Sequence, residues 1–208
     1  VSVDPSGNIS ANIASAPAGQ GHQTVIGQLL ADVFGVSPSQ IQVNVDFDTA
    51  KDAWSIAAGN YSSRFAGAVA GTVFLAAEKL KVRIAAYAAH VLKVKPDQLI
   101  FANGHISVIG RDNDAIPFAR ICGNFHWSPG LVQEALGKDV LLALQETQFW
   151  SADVLQAPDE NDRINTSAAY GFALDACGIE IDPVSCSPKI DGYISVHDAG
   201  KILNPALA

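Results

Sequence analysis

The 208-residue chain contains no methionine, only three cysteines and few charges, with 16% of its residues charged and 49% hydrophobic. Cys122, Cys177 and Cys186 are odd in number and widely spaced, and no Cys-x-x-Cys pair occurs. That pattern argues against a secreted disulfide framework and against a zinc or redox motif. It also leaves too few ligands for a [2Fe–2S] cluster held by this chain alone. The expectation is three buried or half-buried thiols in a reducing cytoplasm. Basic residues are scarce, 13 Lys and Arg against 21 Asp and Glu, for a net charge of −8. Nucleic-acid phosphates are bound by clustered Lys and Arg, so a nucleic-acid partner is not expected. No apolar run approaches the roughly 20 residues of a membrane-spanning helix. No signal-peptide core is present, and position 1 is Val rather than Met. The chain is therefore expected to be a piece of something longer.

What remains is an apolar chain long enough to bury about 70% of its unfolded surface without staples. Val1–Val3 and Ile9–Ile13 flank a Pro- and Gly-containing turn and read as a hairpin. Val25, Ile26, Leu29, Leu30, Val33 and Phe34 recur at helical spacing, and Gly35 is placed to end that helix. Ile41–Asp48 alternates apolar and polar residues, the mark of a half-buried strand. From Phe65 to about Lys93 an alanine-rich stretch reads as one long core helix. Asn103-Gly104 between two apolar runs predicts a second hairpin. Residues 116–165 carry little pattern, and the acidic run Asp159–Asp162 reads as a solvated loop. Two further strands are expected at Tyr170–Ile181 and Tyr193–His197. The fold class is α+β, with mixed strands in hairpins packed against long helices rather than repeated β-α-β units.

Two segments offer binding chemistry. Gly19-Gln20-Gly21-His22-Gln23-Thr24 stands at a helix start, where glycines admit close approach and free N–H groups favour an anion. A glycine-rich strand-to-helix connection with a polar cap accounts for the same residues. Gly59-Asn60-Tyr61-Ser62-Ser63-Arg64, ahead of the long helix, offers hydroxyls, a guanidinium and again helix-start N–H groups. Ordinary N-capping by Ser62 or Ser63 is its simpler account. His22, His90, His105, His126 and His197 show no ligand spacing, so no protein metal site is expected. Trp127, Phe149 and Trp150 admit two readings, lining of an aromatic pocket or channel and buried packing, of which buried packing is the simpler expectation.

Taken together, three segments give a family resemblance. The first is Gly19–Thr24 and the second is Gly59–Arg64. The third is the Gly178–Asp182 strand followed by Asp198-Ala199-Gly200-Lys201-Ile202-Leu203-Asn204-Pro205. In this order they resemble the molybdenum-cofactor-binding large subunit of the xanthine oxidase family of molybdenum hydroxylases. The resemblance implies part of that family's cofactor-binding domain over residues 1–208. It also implies an oxidoreductase that hydroxylates an aldehyde or N-heterocycle-type carbon with water-derived oxygen.

By position, Gly19, Gln20, Gly21 and His22 would contact a molybdenum–molybdopterin cofactor, the cytosine dinucleotide being one form it takes. Ser62, Ser63 and Arg64 would contact it from the second loop. The family's metal is carried by the pterin, in keeping with the lack of protein ligands. Its general-base Glu falls beyond Asn204-Pro205, so no catalytic residue is assigned in this chain. The resemblance further implies [2Fe–2S] and FAD on partner chains or domains, the remainder of the molybdenum subunit as a partner, and a cytoplasmic location. The competing reading is a non-catalytic structural or assembly subunit built on a fragment of this fold.

Overall fold

In the computed structural model, residues 1–46, 48–52, 59–61 and 63–206 are described. Strands β1 (Ser2–Val3) and β2 (Ile9–Asn12) pair antiparallel. In the turn between them, the Asp4 carboxylate accepts from the Ser6 and Asn8 amides at 2.8 and 2.9 Å. Helix α1 (His22–Phe34) then crosses over to β3 (Ile41–Asn44), which pairs parallel to β2. This β-α-β unit is single and not repeated among the described residues, and the other described strand pairs are antiparallel, in keeping with the expected fold class. β3 is shorter than its alternating pattern, and Phe47 of that pattern lies outside the described residues.

The long helix is in two parts, a π-helical segment Phe65–Ala70 and α2 (Gly71–Leu92). The Asn103-Gly104 hairpin is present as β4 (Leu99–Ala102) and β5 (His105–Val108). A third antiparallel strand, β6 (Arg111–Pro117), extends it. Two short helices follow, α3 (Phe118–Trp127) and α4 (Pro129–Leu136). They are divided at Ser128, because Pro129 cannot donate to a continuing helix. Last come β7 (Phe172–Ile181) and β8 (Pro188–Asp198), a separate two-stranded ribbon.

The core lies where α1, α2 and α3 meet the two small sheets. Ile26, Leu30 and Phe34 of α1 face Leu80 and Ile84 of α2, with Phe118 and Ile121 of α3 completing the cluster. Each such side chain contributes about 1.5–3 kcal/mol by leaving water. Tyr87 stands edge-on to Phe125 at 5.5 Å, and its hydroxyl accepts from Asn124 at 3.1 Å. Gly35 ends α1 in a left-handed conformation, φ 63°, and its carbonyl accepts from the Gly104 amide at 2.7 Å. A Cβ there would overlap the Phe101 carbonyl, so the helix end and the hairpin fit only around glycine. The extended chain near residues 141–146 is tied to α2 by Arg83, which pairs with Glu146 and donates to the Ala143 carbonyl at 2.7 Å. This segment also bridges to β1 at Ser2 and Gln145, closing one wall of a cleft.

Three expectations are corrected. Cys122 is buried, and burial pushes its thiol pKa up, but Cys177 and Cys186 are exposed on the ribbon, which packs on no core. Trp127 is 72% exposed, at the end of α3 where the chain breaks at Ser128. Phe149 and Trp150 are also exposed, because the segment carrying them lies across the molecule as a cleft wall rather than inside it.

Candidate functional site

The first loop folds as its glycines require. Gly19 (φ 85°) and Gly21 (φ 73°) are both left-handed, and Gly21 is the N-cap of α1. Gly21 has no side chain to cap this helix start, and among the described residues no other does so, which leaves its first N–H groups and the positive end of the helix for another partner. Gly19 has open space where a Cβ would stand. Gln20 is exposed, and its amide oxygen accepts from the Ala18 N–H at 2.9 Å, which holds the loop tip closed.

His22 differs from its two neighbours. It is 1% exposed, and its Nδ1 has no hydrogen-bond partner among the described residues. A buried polar atom without a partner costs about 1–3 kcal/mol, so it marks a place built for something else. Burial holds the imidazole pKa below its ordinary value, while the Ser15 main chain pulls weakly the other way. The ring is therefore neutral at pH 7, one nitrogen a donor and the other an acceptor.

The second loop meets the first through that ring. His22 stacks face to face on Phe65, the residue after Arg64, with centroids 3.8 Å apart and planes 4° from parallel. Asn60 adds a second link, accepting from the Ser15 hydroxyl and donating to the Ala16 carbonyl. Ser63 is left-handed (φ 52°) and exposed. Arg64 is half-buried, its guanidinium 5.3 Å from the centre of the Tyr61 ring and donating to the Tyr61 hydroxyl at 3.3 Å. Ser62 lies outside the described residues. At the start of the helical segment Arg64 occupies the N-cap position and makes no side-chain cap bond, and among the described residues Ser63 makes none either.

Ser63 and Arg64 open on a cleft of about 480 Å³ between β2, the start of α2 and the segment carrying Phe149 and Trp150. Behind them the Trp150 ring packs over Gly71 at the start of α2, 3.8 Å from where a Cβ would stand. The third motif docks elsewhere: Asn204 donates to the Gln28 side chain at 2.8 Å. Gln28 is six residues along α1 from His22, about 9 Å at 1.5 Å per residue. The structure thus joins the first two loops directly and sets the Asn204-Pro205 turn beside the same helix. The links missed in the sequence are Ser15 and Phe65. A serine in a run of small residues and a phenylalanine opening an apolar helix give no local sign of a polar bridge or a stack. Among the described residues, no group of three or more His, Cys, Asp or Glu converges as a metal site. No described helix is long and apolar enough to cross a membrane.

A family model described as a molybdopterin cofactor-binding domain matches residues 1–208. The large subunit of nicotine 6-hydroxylase from Paenarthrobacter nicotinovorans is 28% identical over 207 residues, spanning 100% of this chain and 23% of that protein. The carbon monoxide dehydrogenase large chain of Hydrogenophaga pseudoflava is 25% identical over 208 residues, again 100% of this chain and 23% of the relative. Among solved structures, quinoline 2-oxidoreductase from Pseudomonas putida 86 superimposes with a TM-score of 0.78 at 23% identity, covering 100% of this chain and 24% of that one. A Cu,Mo-CO dehydrogenase gives a TM-score of 0.75 at 22% identity, covering 99% and 23%. At such identities the structural likeness establishes the fold alone. The chain spans under a quarter of the length of these relatives.

Proposed function

The chain belongs to the molybdopterin cofactor-binding domain family, and from that premise we propose that its two joined loops hold a molybdenum–molybdopterin cofactor inside a larger hydroxylase subunit. The observation that carries this reading is the buried His22, stacked on Phe65 at a helix start, with an Nδ1 and a helix end that have no side-chain partner among the described residues. The donor set suits a pterin bearing phosphate. Main-chain N–H groups at Gly21 and His22, with the positive end of α1, suit phosphate oxygens. The Gln20 amide offers donor and acceptor to a heterocycle edge, and the His22 ring adds the one nitrogen, Nδ1, that has no partner among the described residues. Arg64, steered by Tyr61, supplies a fixed cation, and Ser62 and Ser63 supply hydroxyls.

When bound, the cofactor supplies transfer of a water-derived oxygen to a carbon centre. This chain's residues orient the cofactor and offset its negative charge. Polypeptide outside residues 1–208 supplies the general-base Glu. The substrate is an aldehyde or N-heterocycle-type carbon, in keeping with the nicotine 6-hydroxylase relative. Electrons leave through [2Fe–2S] and FAD groups on partner chains or domains, in the cytoplasm. The cytosine dinucleotide form would place a second phosphate within reach of the loops.

Amide hydrogen exchange tests the placement, comparing the subunit loaded with cofactor against the same subunit produced in a host unable to make pterin. Loading is expected to slow exchange at Gly21–Thr24 and Ser63–Phe65 together. Unchanged exchange at both loops in a fully loaded subunit would contradict it.

A further inference from the structure

The β7–β8 ribbon is built to be covered. Every residue of both strands is exposed, and no third strand joins the ribbon among the described residues. An isolated two-stranded ribbon is marginal in water at best. Its register shows where the cover belongs. Directly paired residues share a face, so Leu174 with Val196 and Ala176 with Ile194 form one apolar patch, with Phe172 beside them. On the opposite face of the same stretch, Asp175 accepts from Ser195 at 2.5 Å, and His197 Nε2 lies 2.6 Å from the Ser195 hydroxyl.

Beyond the irregularity at Gly178/Ile179, β8 has one additional residue, Asp191, while β7 keeps its alternation. The apolar pairs there, Ile179 with Ile190 and Ile181 with Pro188, therefore fall on the face that carries Asp175. The apolar surface changes sides along the ribbon. Phe172 is 72% exposed on one face and Ile190 is 65% exposed on the other.

We propose that the ribbon is clamped on both faces by polypeptide of the same molybdenum subunit lying outside residues 1–208. One surface seats on Phe172, Leu174, Ile194 and Val196, and the other on Ile179, Ile181 and Ile190. The proposal rests on the reading above that the chain works within a larger subunit. The relatives supply the length: this stretch is 23% of the nicotine 6-hydroxylase large subunit. A second copy of the chain is a poor occupant, because a two-fold contact presents one patch to itself and leaves the opposite patch bare. Charge points the same way. Asp175, Glu180, Asp182, Asp191 and Asp198 face one Lys189, so two ribbons repel and the true cover carries Lys or Arg at its rim.

The test places a photo-reactive phenylalanine analogue at Leu174 or at Ile190 in the purified molybdenum subunit, with amide exchange read on the unmodified protein. Expected are cross-links from the two positions to two different peptides of the same subunit, both outside residues 1–208. Ribbon amides should exchange more than about 100-fold slower than in a free chain. Cross-links to a second copy or another subunit, or ribbon amides exchanging at free-chain rates, would overturn the clamp. Molybdenum content of the same sample separates the two readings. A cofactor-free subunit with the expected cross-links sinks only the cofactor reading. A loaded subunit with an unprotected ribbon sinks only the clamp.

Discussion

At the scale of single residues, His22 does two jobs that substitutions can separate. Its ring area stacks on Phe65, and its Nδ1 is buried without a partner among the described residues. Burial lowers its pKa, so below the ordinary value of 6.5 the unfolded chain takes up a proton that the folded chain resists. Stability is therefore full above that value and is lost as pH falls through the window beneath it. His22→Phe keeps the stack and removes both the titration and the orphan nitrogen. Thermal melts between pH ~7.5 and ~5.5 should show a shallower acid decline in the variant, with neutral-pH stability unchanged or raised by about 1 kcal/mol. An acid decline as steep as the parent's would mean that His22 does not titrate in this way. Of this site, the glycines and Arg64 were legible from local sequence, because left-handed turns and helix starts have local signatures. The stack and the Ser15–Asn60 bridge join residues about 45 positions apart, and sequence periodicity carries no such information.

Among elements, two glycines in and after α1 make a matched contrast. Gly27 has open space around a built Cβ, whereas a Cβ on Gly35 would overlap the Phe101 main chain at positive φ. Gly27→Ala should stabilise by about 0.5–1 kcal/mol through helix propensity. Gly35→Ala should cost roughly 3 kcal/mol or more, because either the helix end or the β4–β5 hairpin must shift. Denaturant titration of both checks the pair, and equal effects would contradict the packing described. The elements that could be read were those with strong local patterns: α1 closed by Gly35, the alanine-rich α2, and the Asn103-Gly104 hairpin. β6 could not, since its Arg111-Asp112-Asn113-Asp114 start is polar and its pairing to β5 provides what propensity does not. The parallel pairing of β2 with β3 was hidden for the same reason, being set by where α1 packs.

Across the whole molecule, the parts sort by how they are held. The body of α1, α2, α3 and the two small sheets has a continuous core. The Phe149–Trp150 segment crosses a cleft, and the β7–β8 ribbon has no core of its own. Phe149 and Trp150, expected inside, are exposed on the first of these parts, and Trp127 is exposed at the end of α3. Composition records how much apolar surface a chain has, but not whether this stretch or a neighbouring one covers it. The scarcity of Lys and Arg carries the same message, as the acidic ribbon needs basic groups from elsewhere. The central claim is that the two loops joined through His22 and Phe65 hold the cofactor.

It is tested most directly by molybdenum and pterin stoichiometry in the purified subunit carrying Gln20→Ala with Arg64→Ala, beside its melting temperature. Gln20 is exposed and Arg64 half-buried, neither belongs to the core cluster, and removing a charge-assisted or amide hydrogen bond to the cofactor costs about 1–3 kcal/mol of binding. The account predicts at least about tenfold less bound molybdenum and pterin, with the cofactor-free melting temperature moved by no more than about 2 °C. Full stoichiometry in a normally folded double variant would contradict it.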